Sequence, residues 1–249
     1  MLKDGLLERF PCDAFYGLHN WPRVPDGTFS IRVGPIMASC DTFSISIRGV
    51  GGHAAMPHLC VDPIVAASQM VVALQTLVSR AVDPLDAAVV SVTQFNSGSA
   101  TNIIPDDALL RGTIRAFQAD TRAAMEGQLR RVVTGIAGAF GVTADIKVEN
   151  GYPATVNHAA ESELAAAAAA ELVGDAAVDR TFPPTMGAED MSYLLLRRPG
   201  CYAWLGTGVT CHEPMLHHPQ YDFNDAQAPL GASWFARVVE KTMPLAATV

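Results

Sequence analysis

From Thr42 to Arg48, apolar Phe43, Ile45 and Ile47 alternate with polar Thr42, Ser44, Ser46 and Arg48. A period of two belongs to a strand with one buried face. A glycine-rich stretch follows. Asp62-Pro63 then supplies an N-cap and a first-turn proline ahead of Ile64, Ala67, Val71, Leu74, Leu77 and Val78, whose spacing is helical. This pattern predicts one helix ending before Pro84. Residues 88–95 and 108–117 are rich in strand formers, Asp120 is placed to cap a helix reaching about Phe140, and Gly141 suits its stop. Val142, Ala144, Ile146 and Val148 alternate again.

The resulting order, β-α-β-β-α-β, is that of a ferredoxin-like layer of helices on an antiparallel sheet, an α+β domain expected over 38–149. The flanks differ in character. Residues 1–37 are short and rich in Pro and Gly, whereas 150–249 opens on an alanine-rich helix from about His158 to Val173, stopped by Gly174. Neither flank is self-sufficient, so 1–37 and 150–249 are expected to form one domain interrupted by the middle one.

Composition narrows the classes. Of 249 residues, 49% are hydrophobic and 17% charged, which supports a buried core and excludes a disordered chain. Seventeen Lys+Arg against 25 Asp+Glu leave a net charge of −8, which argues against a nucleic-acid partner. No apolar run approaches the roughly 18 residues of a membrane span, and the opening MLKDGLLERF lacks a signal-peptide core, so a cytoplasmic protein with no membrane partner is expected. Cys12, Cys40, Cys60, Cys201 and Cys211 form no CxxC pair. They are expected as mostly small buried residues rather than a disulfide framework or thiolate zinc site.

Gly49-Val50-Gly51-Gly52-His53-Ala54 matches the dinucleotide template GxGxxA after a strand. Pro57 and Asp62-Pro63 delay the helix such a turn should open, and no acid lies between Asp62 and Asp83 to hold a ribose. The histidines are more informative: His19 in GLHNWP, His53 in GGHAAMPH and His217 in LHHPQYDFND each sit beside Gly or Pro and read as loop residues. A lone loop histidine is ordinarily a surface residue. Three in such settings point toward metal or carbonyl chemistry, although no HExxH or paired Cys/His spacing is present.

The segments FYGLHNWPRVPDG, SIRGVGGHAAMPH, TNIIPDDALLRGTIRAF, MGAEDMSYLL and LHHPQYDFND, in this order and spacing, resemble the amidohydrolase branch of the M20 metallopeptidases. That branch includes hippurate hydrolases, N-acyl amino acid amidohydrolases and indoleacetyl amino acid hydrolases. The resemblance implies an α/β catalytic domain interrupted by a ferredoxin-like lid, and a homodimer through the lid. It implies two divalent ions, zinc or manganese, bridged by a water that becomes hydroxide. His19 and His217 match metal ligands, with His218 at a variable position. His53 matches the histidine that polarises the scissile carbonyl, and Asn102 and Arg115 match residues that hold the carboxylate of a small N-acyl amino acid.

Glu189 and Asp190 in GAEDMS lie near where relatives bind metal, and the reading from the residues alone is a loop acid capping a helix through Leu196. Asp222 and Asp225 are expected to order the loop of His217. His58, His158 and His212 read as ordinary. Against the family pattern the chain starts late: a histidine- and acid- or cysteine-containing metal motif and a glutamate pair supplying the general base have no counterpart in residues 1–18, and Asp4, Glu8 and Asp13 align with an ordinary helix and loop. The expectation is therefore the C-terminal part of an amidohydrolase, inactive alone, with a truncated catalytic domain. A non-catalytic remnant or dimerisation module is the alternative.

Overall fold

The computed structural model describes residues 1–208 and 214–243, so Cys211 and His212 lie outside the described residues. Along the chain run α1 (Leu6–Arg9), β1 (Phe15–Trp21), β2 (Phe29–Ser30), β3 (Gly34–Met37), β4 (Asp41–Arg48) and β5 (Gly52–His53). Next come α2 (Pro63–Leu74), α3 (Thr76–Ala81), β6 (Ala88–Ser97), β7 (Ile103–Ile104), β8 (Asp107–Ala116), α4 (Ala119–Phe140) and β9 (Thr143–Asn150). The chain closes with β10 (Thr155–Asn157), α5 (Ala159–Val173), β11 (Val178–Asp179), α6 (Met191–Leu195), β12 (Gly200–Gly206) and α7 (Ala228–Thr242). Two compact units result: residues 38–154 with 186–188, and residues 1–37, 155–185 and 189–249.

In the 38–154 unit the sheet order is β6-β8-β4-β9, with every neighbouring pair antiparallel. The alternation along β4 buries Phe43, Ile45 and Ile47, which meet Met70, Leu74 and Leu77 of the first helical stretch and Leu129 and Val133 of α4. The expected single helix after Pro63 is two. Thr76 Oγ1 donates back to Ala73 O at 2.7 Å beside the break at Gln75, and such back-bonding bends a helix. The start is as read: Asp62 Oδ1 accepts the Ile64 N–H at 2.8 Å. Asp120 does not cap α4, which begins at Ala119, and its charge instead lies in the first turn, where the helix dipole favours it. Gly141 ends α4 with φ 71°.

The α2–α3 stretch, residues 63–81, is long and apolar enough to cross a membrane by length and composition, but its Ala66, Met70, Leu74 and Leu77 are buried in this core. The unit continues past β9 because Cys40 N–H donates to Tyr152 O at 2.9 Å and Gly151 N–H to Asp41 Oδ1 at 3.1 Å. Asp41, only 3% exposed, also accepts Arg122 Nε at 2.7 Å and a second bond from Arg122 Nη2. Arg122→Ala would leave that carboxylate buried without its cation, so urea unfolding should show a loss of about 3–5 kcal/mol. A loss under about 1 kcal/mol, the range of exposed pairs, would contradict this.

The glycines after β4 serve packing. A Cβ on Gly49 would lie 2.0 Å from Val61 O, and one on Gly51 2.6 Å from Ile104 O. The chain passes through β5 and a short turn at Pro57–Leu59 before any long helix, so the geometry of a dinucleotide turn is not formed.

The other unit holds a mixed sheet of order β1-β12-β2-β11, in which β1 runs parallel to β12 and β2 antiparallel to it. Every residue of β12 is buried. On one face Ala165, Ala166, Ala168 and Ala169 of α5 let the helix approach closely, and Trp234 of α7 donates its Nε1–H to Ala165 O at 3.0 Å. On the opposite face Trp21 stacks on Trp204 at 4.1 Å between ring centroids, beside Tyr202, Met191 and Leu195. The four described cysteines are free, but only Cys201 is buried, which corrects the expectation for Cys12, Cys40 and Cys60. Burial pushes the Cys201 thiol up to about 12.

Candidate functional site

His19 lies within strand β1 rather than in a loop, opposite Trp204 of β12. Its partner strand is remote in sequence, and Gly17, Asn20 and Pro22 disguise the strand locally. The imidazole meets Trp21 and Tyr202 edge-on at 5.9 and 6.3 Å. Nδ1 lies 2.7 Å from Asn20 O. A carbonyl only accepts, so Nδ1 carries a proton, and a metal at this ring would be met by Nε2.

Beside His19 stands Glu189. Gly17 leaves room for the Tyr202 ring, since a Cβ there would lie 2.8 Å from Tyr202 Cδ2, and the Tyr202 hydroxyl donates to Glu189 Oε2 at 2.8 Å. Burial raises the Glu189 carboxyl, but the bonds from Tyr202 and the Asp190 N–H, with the nearby His19, outweigh it and hold its pKa below the ordinary value. Asp190 is raised, chiefly by its hydrogen bond with Glu189 and then by burial. The Tyr202 phenol is raised by burial and by Glu189. The Glu189 carboxylate is therefore no helix cap, as the residues alone suggested. It is an acceptor held by Tyr202 next to His19, and MGAEDMSYLL was its only trace in the sequence.

His217 is exposed, in the turn after Leu216, with φ 69°. The ties of its loop run through Tyr221, whose hydroxyl accepts from Asn20 Nδ2, and Asn224, whose Nδ2 donates to Asp26 Oδ2 at 2.7 Å. Asp222 and Asp225 were the expected ties, but amide and phenol groups make these bonds. His158 is structural, its Nδ1 accepting the Gly200 N–H at 3.2 Å.

In the 38–154 unit His53 is the last residue of β5, exposed, and paired with Ile103 of β7. Its Nδ1 accepts the Ala55 N–H at 3.1 Å, so the neutral ring carries its proton on Nε2 and offers a donor to solvent. Ala54 N–H donates to Asn102 O at 3.0 Å, which sets Asn102 beside His53. Arg115 is not brought to them. Gly51 N–H bonds Asp106 Oδ1 at the start of β8, and Arg115 lies eight residues beyond Asp107, about 26 Å along the strand at the usual rise.

The peptidase family M20/M25/M40 model matches residues 1–241. The chain belongs to this family. It is 37% identical over 241 residues to the hippurate hydrolase of Campylobacter jejuni, covering 97% of this chain and 62% of that enzyme. It is 38% identical over 225 residues to an N-acetylcysteine deacetylase of Bacillus subtilis, covering 90% of this chain and 58% of that protein. Among solved structures it is similar to the Bacillus subtilis YXEP protein, a dinuclear metal binding M20 peptidase, with a TM-score of 0.78 and 32% identity over 95% of this chain and 58% of the other. The chain thus spans about six-tenths of these relatives' length.

The donors on this chain fit part of an M20 metal site. Imidazole Nε2 of His19 and a nearby carboxylate suit a divalent transition metal. Among the described residues, however, no three His, Cys, Asp or Glu side chains gather as a ligand set, and a catalytic zinc typically has about three protein ligands.

Proposed function

We propose that this chain is the C-terminal part of a metal-dependent amidohydrolase that cleaves the amide bond of N-acyl amino acids of the hippurate type. One observation carries the reading: within one unit the Tyr202 hydroxyl holds the Glu189 carboxylate near His19, whose Nδ1 donates to Asn20 O and leaves Nε2 for a cation. A metal-dependent hydrolytic site uses such donors. His19 and His217 would hold the ions, two in the complete enzyme and zinc or manganese by donor type. When bound, they lower the pKa of water toward neutrality. Nε2–H of His53 points a donor at the carbonyl oxygen as its charge develops, and Asn102 lies beside it. Arg115 supplies a two-pronged contact for the substrate carboxylate.

The middle unit serves as a ferredoxin-like lid. Arg115 and His53 lie toward opposite ends of its sheet, so one lid cannot offer both to one small substrate. Strand β6 is an edge of that sheet, and bare edges pair. Antiparallel pairing of two β6 edges across a two-fold axis sets the His53 end of one lid beside the Arg115 end of the other. Light scattering at micromolar concentration should give a discrete dimer, and a monomer throughout would contradict this. The working compartment is the cytoplasm, with neither nucleic acid nor membrane as partner.

The absence of three gathered ligands among the described residues favours a non-catalytic state for the chain by itself. The experiment is N-benzoylglycine hydrolysis by a chimera that joins the part of the Campylobacter enzyme outside the match to this chain. Turnover should appear and vanish in His217→Ala. A folded, metal-loaded chimera without turnover would refute the proposal.

A further inference from the structure

His217 is the only non-glycine residue with positive φ among those described. That conformation crowds Cβ against the following carbonyl and persists only where the surroundings enforce it. Two contacts flank it. Leu216 packs against the cluster of Trp21, Tyr202 and Trp204, on the face of the sheet that carries His19. On the other side of the turn, His218 N–H donates to Met215 O at 3.0 Å and Tyr221 N–H to His218 O at 2.9 Å, which brings the Tyr221 hydroxyl to Asn20 Nδ2. Successive strand side chains point to opposite faces, so Asn20 reaches Tyr221 without competing for the His19 ring.

We propose that Tyr221 is a positioning residue: its bond to Asn20, together with the Leu216 anchor, clamps the His217 turn around strand β1 and sets the spacing of the two histidines. The Tyr221 tether ends on Asn20 of β1, and the Leu216 anchor on the apolar cluster that includes Trp21, on the opposite side of the sheet. The backbone of His217 is thereby fixed relative to His19 by contacts that use neither imidazole. The functional meaning rests on the reading of these histidines as metal ligands, whereas the clamp stands on its own geometry.

Hydrogen exchange of the 214–224 amides in the metal-free full chain tests the clamp. Tyr221→Phe and Asn20→Leu should each speed exchange there by roughly five- to tenfold, the range one hydrogen bond supports, and the double variant should add little to either. Asn20→Asp should restore slow exchange, because a carboxylate accepts the Tyr221 O–H. Exchange unchanged in Tyr221→Phe, or additive losses in the double variant, overturns the proposal. A second measurement follows paramagnetic broadening of the ¹⁵N-labelled imidazoles on titration with Co²⁺. In the wild type His19 and His217 should broaden together, and in Tyr221→Phe the His217 response should need about tenfold more Co²⁺ than that of His19, the scale of the same lost bond. Co-broadening that survives Tyr221→Phe unchanged also counts against the clamp's role. A wild type in which neither ring responds contradicts the ligand reading, while the exchange result still decides the clamp.

Discussion

Replacing His53 by alanine in the chimera should lower kcat for N-benzoylglycine by about 10²- to 10³-fold, the range for losing one oxyanion donor, with KM changed little. The reason lies in the ring's hydrogen bonding. Ala55 N–H occupies Nδ1, so the proton of the neutral ring resides on Nε2. A donor placed there meets little charge on the ground-state carbonyl and a full charge on the oxyanion, so its contribution falls on turnover. His53→Gln should retain part of the rate through its amide donor. A loss confined to KM, or none, would remove His53 from the reaction.

The isolated chain should hold zinc or manganese only substoichiometrically after dialysis, and His19→Ala should change that little. Ligands are not gathered in threes among the described residues, and a site with fewer than three protein ligands loses metal readily. Stoichiometric metal on the isolated chain, lost in His19→Ala, would show that this chain completes the site.

Much of the 38–154 unit was legible because its signals are local. Asp62-Pro63 starts a helix and Gly141 stops one through chemistry within a few residues. The alternation along Thr42–Arg48 marks a sheet with one covered face. The other unit hides its architecture in pairings between distant segments. Strand β1 meets β12 in parallel across nearly the whole chain, and β12 is buried on both faces, so GCYAWLG shows no alternation. His19 accordingly read as a loop residue. The site was visible as residue types but not as arrangement. Nothing in GAEDMS says that Tyr202 would hold Glu189 against His19, nor do TNIIP and GTIRAF reveal that Asn102 and Arg115 lie toward opposite ends of one sheet. The loop acids Asp222 and Asp225 drew attention by charge, while Tyr221 and Asn224 make the ties.

The most direct measurement compares N-benzoylglycine hydrolysis by the 249-residue chain and by the chimera, at equal concentration with added zinc, manganese or cobalt. Turnover by the chimera that is lost in His217→Ala, with the chain alone at the buffer rate, is the expected result. Hydrolysis by the chain alone that is lost in His217→Ala, or a folded and metal-loaded chimera that never turns over, would contradict it.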